Sequence, residues 1–379
     1  MLYKPAYEIV LRNRFMSGVA HMHVRGLLLT AALFLVSHPG RTQESVPARS
    51  GRSSAETATP KQPAGRTVVG KLSPAREKWV VQTLNKMMLD EKIGQLLLVT
   101  YYGGFISSES DAYRELVHQV EQNHVGGFIV VTRGSPLGIV ESEVYPTAVL
   151  ANQLQRHAKI PLLIAADFER GTALRLREGT SFPDAMAVAA AGTPKDAYTM
   201  GRITALEARA AGVHWIFAPV ADVNSNPDNP IINIRSFGED SQRVAEFVSA
   251  FVRGVEENGA LATAKHFPGH GDTASDSHLD LPVVYGDRKR LDTVELVPFR
   301  AAIAAGVSSI MTAHLAVPAV EPDRVPATLS PRILTDLLRK DLGFNGLVVT
   351  DALNMEGVTR IAAPEKPPCA RFWPGLMSC

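Results

Sequence analysis

From residue 72 onward, short and nearly unbroken apolar runs alternate with amphipathic segments, and this alternation limits the possible folds more than any other feature. The apolar runs fall at 95–102, 127–131, 161–166, 213–220, 261–265, 309–315 and 346–350. Segments of helical character lie between them, for example 147–158, 197–211, 241–257, 294–305 and 331–342. Ser73-Pro74 reads as a helix start, and Trp79, Val80, Leu84, Met87 and Met88 follow near helical spacing. Apolar strands separated by helices imply a parallel sheet with both faces covered.

A doubly wound sheet and a (β/α)8 barrel both satisfy that pattern. Polar residues sit at or just after most strand ends: Asp167 and Glu169, Asp222 and Asn224, Lys265 and His266, His314, and Asp351. A barrel gathers all its strand ends around one mouth, whereas an open sheet gathers only those at a switch point. No glycine-rich dinucleotide or phosphate loop follows the first strand, which also favours the barrel. Seven strands are legible where a barrel has eight. After Thr359 the sequence carries four prolines and both cysteines, Cys369 and Cys379, without helical periodicity. The fold expectation is therefore an α/β, (β/α)8 TIM-type barrel truncated after its seventh strand, since an open barrel leaves strand edges unpaired. The alternative is a natural short tail on a seven-stranded sheet.

Ahead of the barrel, Arg25 precedes an apolar run at 27–36, followed by Ser37-His38-Pro39-Gly40. About ten apolar residues behind a positive flank fit a signal peptide better than a membrane span, which needs about twenty. The expectation is export to the periplasm or beyond, with an uncleaved anchor as the alternative. Residues 41–71 are rich in Ser, Pro, Thr, Ala and Arg and read as a disordered linker. The expected boundaries are 1–40 for the extension, 41–71 for the linker, 72–358 for the barrel and 359–379 for an atypical tail. Basic and acidic residues number 39 and 38, a net charge of +1, so nothing points to nucleic acid as a partner. The barrel region has no cysteine, which removes thiolate metal sites and disulfides from it.

Residues 265–282, KHFPGHGDTASDSHLDLP, hold three histidines and three aspartates among helix breakers. Such a stretch reads as a functional loop at the end of the fifth strand. His266, His270 and Asp272 form a loose metal-ligand spacing, so a divalent-metal site is one alternative for it. A second segment, VVTDALNM at 348–355, puts Asp351 directly after an apolar strand. A carboxylate there is partly desolvated and suits a nucleophile or base, or else it caps a following helix.

Together, KHFPGHGDT-x-x-DSH and the later TDALNM resemble the family 3 glycoside hydrolases, in the β-N-acetylhexosaminidase branch, over residues 89–358. The resemblance implies a retaining hydrolase of terminal β-linked N-acetylglucosamine, from peptidoglycan fragments or chitooligosaccharides, with no cofactor and no metal. It assigns Asp351 as nucleophile and His278 as acid/base, paired with Asp276. It assigns Asp167, Arg175, Arg235, Lys265 and His266 to sugar binding. Each of these side chains has an alternative as a strand-end cap or surface ion pair. The chemistry agrees: a histidine with a pKa near 6.5 can donate and later accept a proton at working pH, and Asp276 can orient it.

The third-strand motif departs from the family pattern. It reads DFERGTALR, with Arg170 and Thr172 where the best-known members carry glycine and arginine. A β-glucosidase of the same family usually takes its acid/base from a following domain and lacks the D-S-H loop, which favours the hexosaminidase. A phosphorylase is a further variant, because a histidine acid/base does not repel incoming phosphate. An inactive carbohydrate-binding remnant and a metal-dependent amidohydrolase-type barrel complete the alternatives.

Overall fold

In the computed structural model the chain divides into two units, Met1–Pro63 and Ala64–Cys379. The structure describes residues 72–135, 138–275, 281–359 and 376–377, all within the second unit. The apolar run at 27–36, read as an export signal, and the expected linker at 41–71 lie outside the described residues. So does most of the tail.

The expected alternation is present. Strands β1 (Leu98–Tyr102), β2 (Gly127–Val131), β3 (Leu163–Ala166), β4 (Trp215–Ile216), β5 (Leu261–Phe267), β6 (Ser309–Thr312) and β7 (Leu347–Thr350) form one parallel sheet in that order. Helices α1 (Asp111–Glu121), α2 (Val144–His157), α3 (Pro194–Ala210), α4 (Ser241–Glu256), α5 (Leu296–Ala304) and α6 (Arg332–Asp341) connect successive strands. The seven parallel strands curl into an open half-barrel with its helices, consistent with a truncated (β/α) barrel. In the tail, Leu376 and Met377 pair in parallel with Val348 and Val349 of β7. The order of strands is linear, so β1 stands at one end of the sheet.

Alternation along each strand makes two cores. Ile164, Ala166, Ile216, Ala262, Ala264, Ile310 and Val348 point outward and pack under the helices. Leu98, Ala165, Trp215, Phe217, Met311 and Val349 point inward and fill the lumen. The Trp215 indole N–H donates to Thr263 Oγ1 at 2.8 Å, so the largest lumen side chain has a partner for its one polar atom.

Ahead of β1, a helix spans Pro74–Lys86 as the sequence predicts, with Ser73 Oγ accepting from Arg76 N at 3.4 Å. Its apolar positions are not core, however. Trp79 remains 53% exposed, and no residue of this helix is buried.

Two strands differ from the apolar runs that foretold them. The run at 213–220 gives only a two-residue strand, because Pro219 has no N–H to offer a ladder. The run stays in contact with β5 through bonds outside a regular ladder, such as Lys265 N to Pro219 O at 3.2 Å. Conversely, β5 runs to Phe267, two residues past its apolar run. Lys265 and His266, expected to open a loop, belong to the strand.

Candidate active site

The inward alternation delivers the chemistry. Asp167 stands two residues past inward-facing Ala165, Lys265 two past Thr263, and Asp351 two past inward-facing Val349. All three therefore arrive at the same end of the lumen, the C-terminal mouth of the barrel.

They meet in a string of ion pairs with alternating sign. Arg175 donates to Asp167 Oδ2 at 2.8 Å. Lys265 Nζ lies 2.8 Å from Asp167 Oδ1 and 2.7 Å from Glu169 Oε1. Arg235 completes the string with a two-pronged bond to Glu169, Nε at 2.9 Å and Nη2 at 2.8 Å. Burial alone would push the Asp167 carboxyl up, but Lys265 and Arg175 hold it at about 2. Burial likewise opposes ionisation of Glu169, yet Lys265 and Arg235 keep it well below the usual range. The Lys265 ammonium is disfavoured by burial and raised by both carboxylates, so the lysine and its two acids stay charged.

One prediction follows directly. A carboxyl with a folded pKa of about 2, against an ordinary 3.8, stabilises the fold above the higher value. That stabilisation drains away as pH falls through the lower one. Melting temperatures measured from pH 5 to pH 2 should therefore fall, and the fall should be shallower in Asp167→Asn. Parallel pH curves for the two proteins would contradict it.

A second network sits behind His266. Asp222, fully buried two residues past the 213–220 run, accepts from His266 Nδ1 at 2.7 Å and from the His270 backbone N–H at 2.6 Å. Burial pushes the Asp222 carboxyl up, but the His266 and His270 imidazoles outweigh it and keep it ionised. Arg235 Nη2 lies 3.4 Å from His266 Nε2, which links the two networks. Asp351 Oδ1 accepts from Ala352 N at 2.8 Å. The next helix starts four residues beyond Ala352, so Asp351 does not cap it. Burial opposes the Asp351 charge, while the His266 and His314 imidazoles and the Ala352 N–H hold the carboxyl below its ordinary value. His314 Nε2–H donates to Ala352 O at 3.0 Å and so fixes the backbone beside Asp351.

The loop carrying Arg175 has its own anchor. Glu207, on α3, accepts the hydroxyls of Thr172 and Thr180, and also Thr180 N at 3.0 Å. Thr172 is one of the two departures from the family motif, and here it ties the loop to a helix.

A cavity of about 180 Å³ gathers Asp167, Glu169, Arg175, Arg235, Lys265, His266 and Asp351. Six of the eight residues expected from sequence are thus brought together. The other two, Asp276 and His278, lie outside the described residues. Sequence reasoning gave no role to Glu169, Asp222, Glu207 or His314. Three of these stood in the list of strand-end polar residues, which was the available signal. The His266, His270 and Asp272 spacing does not converge, because Asp272 Oδ1 pairs with Arg290 at 3.0 Å. Among the described residues, no three His, Cys, Asp or Glu side chains form a metal-ligand group.

Residues 88–369 match the family model described as the glycosyl hydrolase family 3 N terminal domain. The chain belongs to glycosyl hydrolase family 3. A β-N-acetylglucosaminidase/β-glucosidase of Cellulomonas fimi is 36% identical over 75% of this chain and 49% of its own length. β-Hexosaminidase A of Pseudoalteromonas piscicida is 41% identical over 55% of this chain and 38% of its own length. A solved family 3 β-N-acetylglucosaminidase from Paenibacillus sp. str. FPU-7 superimposes with a TM-score of 0.66 at 42% identity, covering 72% of this chain and 51% of that one. The chain thus spans about half or less of these three relatives. The glycosyl hydrolase family 3 match contains every residue of the ion string and Asp351.

Proposed function

We propose that this chain is a retaining glycoside hydrolase that releases terminal β-linked N-acetylglucosamine from peptidoglycan fragments or chitooligosaccharides. We further propose that it acts after export, on the strength of the signal-like run at 27–36. One observation carries the catalytic reading: the ionised Asp351 carboxylate shares a cavity with the Asp167–Lys265–Arg175 group. A fixed carboxylate facing a ring of donors is what a covalent displacement at a sugar carbon requires. The names of the relatives favour the acetamido sugar.

In the first step Asp351 attacks the anomeric carbon, and the bond to the leaving oxygen breaks as that oxygen takes a proton from His278. In the second, His278 removes a proton from water, the water attacks the same carbon, and the Asp351–sugar bond breaks. The part given to His278, with Asp276 beside it, rests on the D-S-H motif. Arg175, Lys265, Arg235 and Asp167 offer donors and acceptors to the sugar hydroxyls, and their mutual pairing keeps them in place before substrate arrives.

The test is turnover of 4-nitrophenyl N-acetyl-β-D-glucosaminide beside the matching glucoside, each with and without phosphate. Preference for the acetamido sugar, independent of phosphate, is the expected result. Equal or greater turnover of the glucoside would favour the β-glucosidase reading, which the double name of the Cellulomonas fimi relative keeps in view. Turnover that requires phosphate would instead identify a phosphorylase.

Glu207→Ala should act through Arg175. Releasing the 172–180 loop is expected to raise KM about tenfold, a loss of about 1.4 kcal/mol, while kcat changes less. Glu207→Gln, which still accepts hydrogen bonds, should recover part of the loss. A fall in kcat at unchanged KM would remove Glu207 from this positioning role.

A further inference from the structure

A second cavity, of about 280 Å³, adjoins the first and shares Glu169, Arg175 and Arg235 with it. Arg170, Leu174, Asp184 and Ala185 complete its lining. Asp351, His266 and His270 line only the first cavity. The second therefore opens on the side of the hydroxyl-gripping groups, away from the nucleophile. We propose that it is an accessory subsite for an acidic substituent, a carboxylate carried by the bound sugar itself, because the neighbouring sugar leaves from the anomeric carbon beside Asp351. The proposal rests on the sugar-binding reading of the first cavity.

Unmatched donors make the case. Of the three guanidinium groups in the lining, Arg235 is held by both oxygens of Glu169, and Arg175 Nη2 is held by Asp167. The Arg175 Nε atom is buried and meets no acceptor among the described residues. The Arg170 side chain is exposed, and no described residue pairs with its guanidinium. Its backbone, by contrast, is fixed, because Phe182 N donates to Arg170 O at 2.9 Å. The structure thus presents a free cation on an anchored stem beside an orphaned buried donor.

The acids of the lining do not cancel this. Glu169 is already matched by Arg235 and Lys265. Only Asp184 stands against Arg170, and no ion pair joins them. A planar carboxylate can take two parallel bonds from a guanidinium fork, and no neutral substituent can match that. The sequence motif carries arginine here where the resemblance leads one to expect glycine. The charge therefore belongs to this chain's own version of the site.

The experiment is calorimetric titration in the Asp351→Asn background, where disaccharides survive. The ligands are N-acetylglucosamine, N-acetylmuramic acid, chitobiose, and N-acetylglucosamine β-1,4-linked to N-acetylmuramic acid. At low salt, N-acetylmuramic acid is expected to bind about tenfold tighter than N-acetylglucosamine. Arg170→Ala should bring that ratio toward one, and Arg170→Lys should restore part of it. Preference for N-acetylmuramic acid itself would put the carboxylate on the bound sugar. Preference confined to the mixed disaccharide would put the carboxylate on the leaving sugar, beside Asp351, and would overturn the subsite. Neutral sugars binding without acid preference, or a preference that survives Arg170→Ala, would overturn the subsite alone. Failure of all four sugars to bind would overturn the sugar-site reading and the subsite with it.

Discussion

Asp351→Asn should cut turnover of the acetamido substrate by roughly ten-thousandfold or more, with sugar affinity little changed. The amide is nearly isosteric and can still accept the Ala352 N–H, so the loop after β7 keeps its geometry. What disappears is the negative charge that His266, His314 and Lys265 favour. An amide oxygen in that place cannot form the glycosyl ester on which a two-step displacement depends. The decisive measurements are kcat for both proteins and the melting temperature of the variant. Near-normal kcat in a folded Asp351→Asn variant would move the nucleophile elsewhere.

The second large effect concerns stability. Lys265 has a side chain only 3% exposed and bridges two carboxylates. Lys265→Met removes the charge while keeping most of the volume, which leaves Asp167 and Glu169 facing each other without their shared counter-ion. Breaking a buried ion pair from one side typically costs about 3–5 kcal/mol, and that loss is expected here. Denaturant midpoints would measure it. Adding Asp167→Asn to the variant removes one of the stranded charges and should recover part of the loss. A single variant as stable as the parent would mean that water or rearrangement relieves the pair.

The sequence made the scaffold legible because the scaffold is local. Each strand of the repeat coincides with or lies within an apolar run, apart from the extension of β5 through His266 and Phe267. That extension was hidden because a lysine inside a strand makes sense only once its partners are known. Those partners are remote: Asp167 lies 98 positions away. The same holds for Glu169 with Arg235, 66 apart, and for Asp222 with His266, 44 apart. Motif resemblance reached Asp351, Lys265 and Arg175 because it compares whole segments. It gave no part to Glu207, which acts through threonines on another element. The apolar spacing of Trp79, Val80 and Leu84 foretold the helix at Pro74–Lys86 but not its exposure, since helical periodicity says nothing about what covers the face.

The alternating ion string also sets how the site responds to salt. Its cations and anions lie within 3 Å of one another, far inside the screening length of about 8 Å at physiological ionic strength. Added salt therefore cannot loosen the string from outside. A neutral sugar meets only the short-range ends of dipoles already aligned, so its dissociation constant should stay nearly flat across a salt series. Arg170 stands exposed at the rim, so an acidic ligand should lose affinity in the same series. Ionic strength thus separates the two halves of the pocket without altering a single atom of the protein.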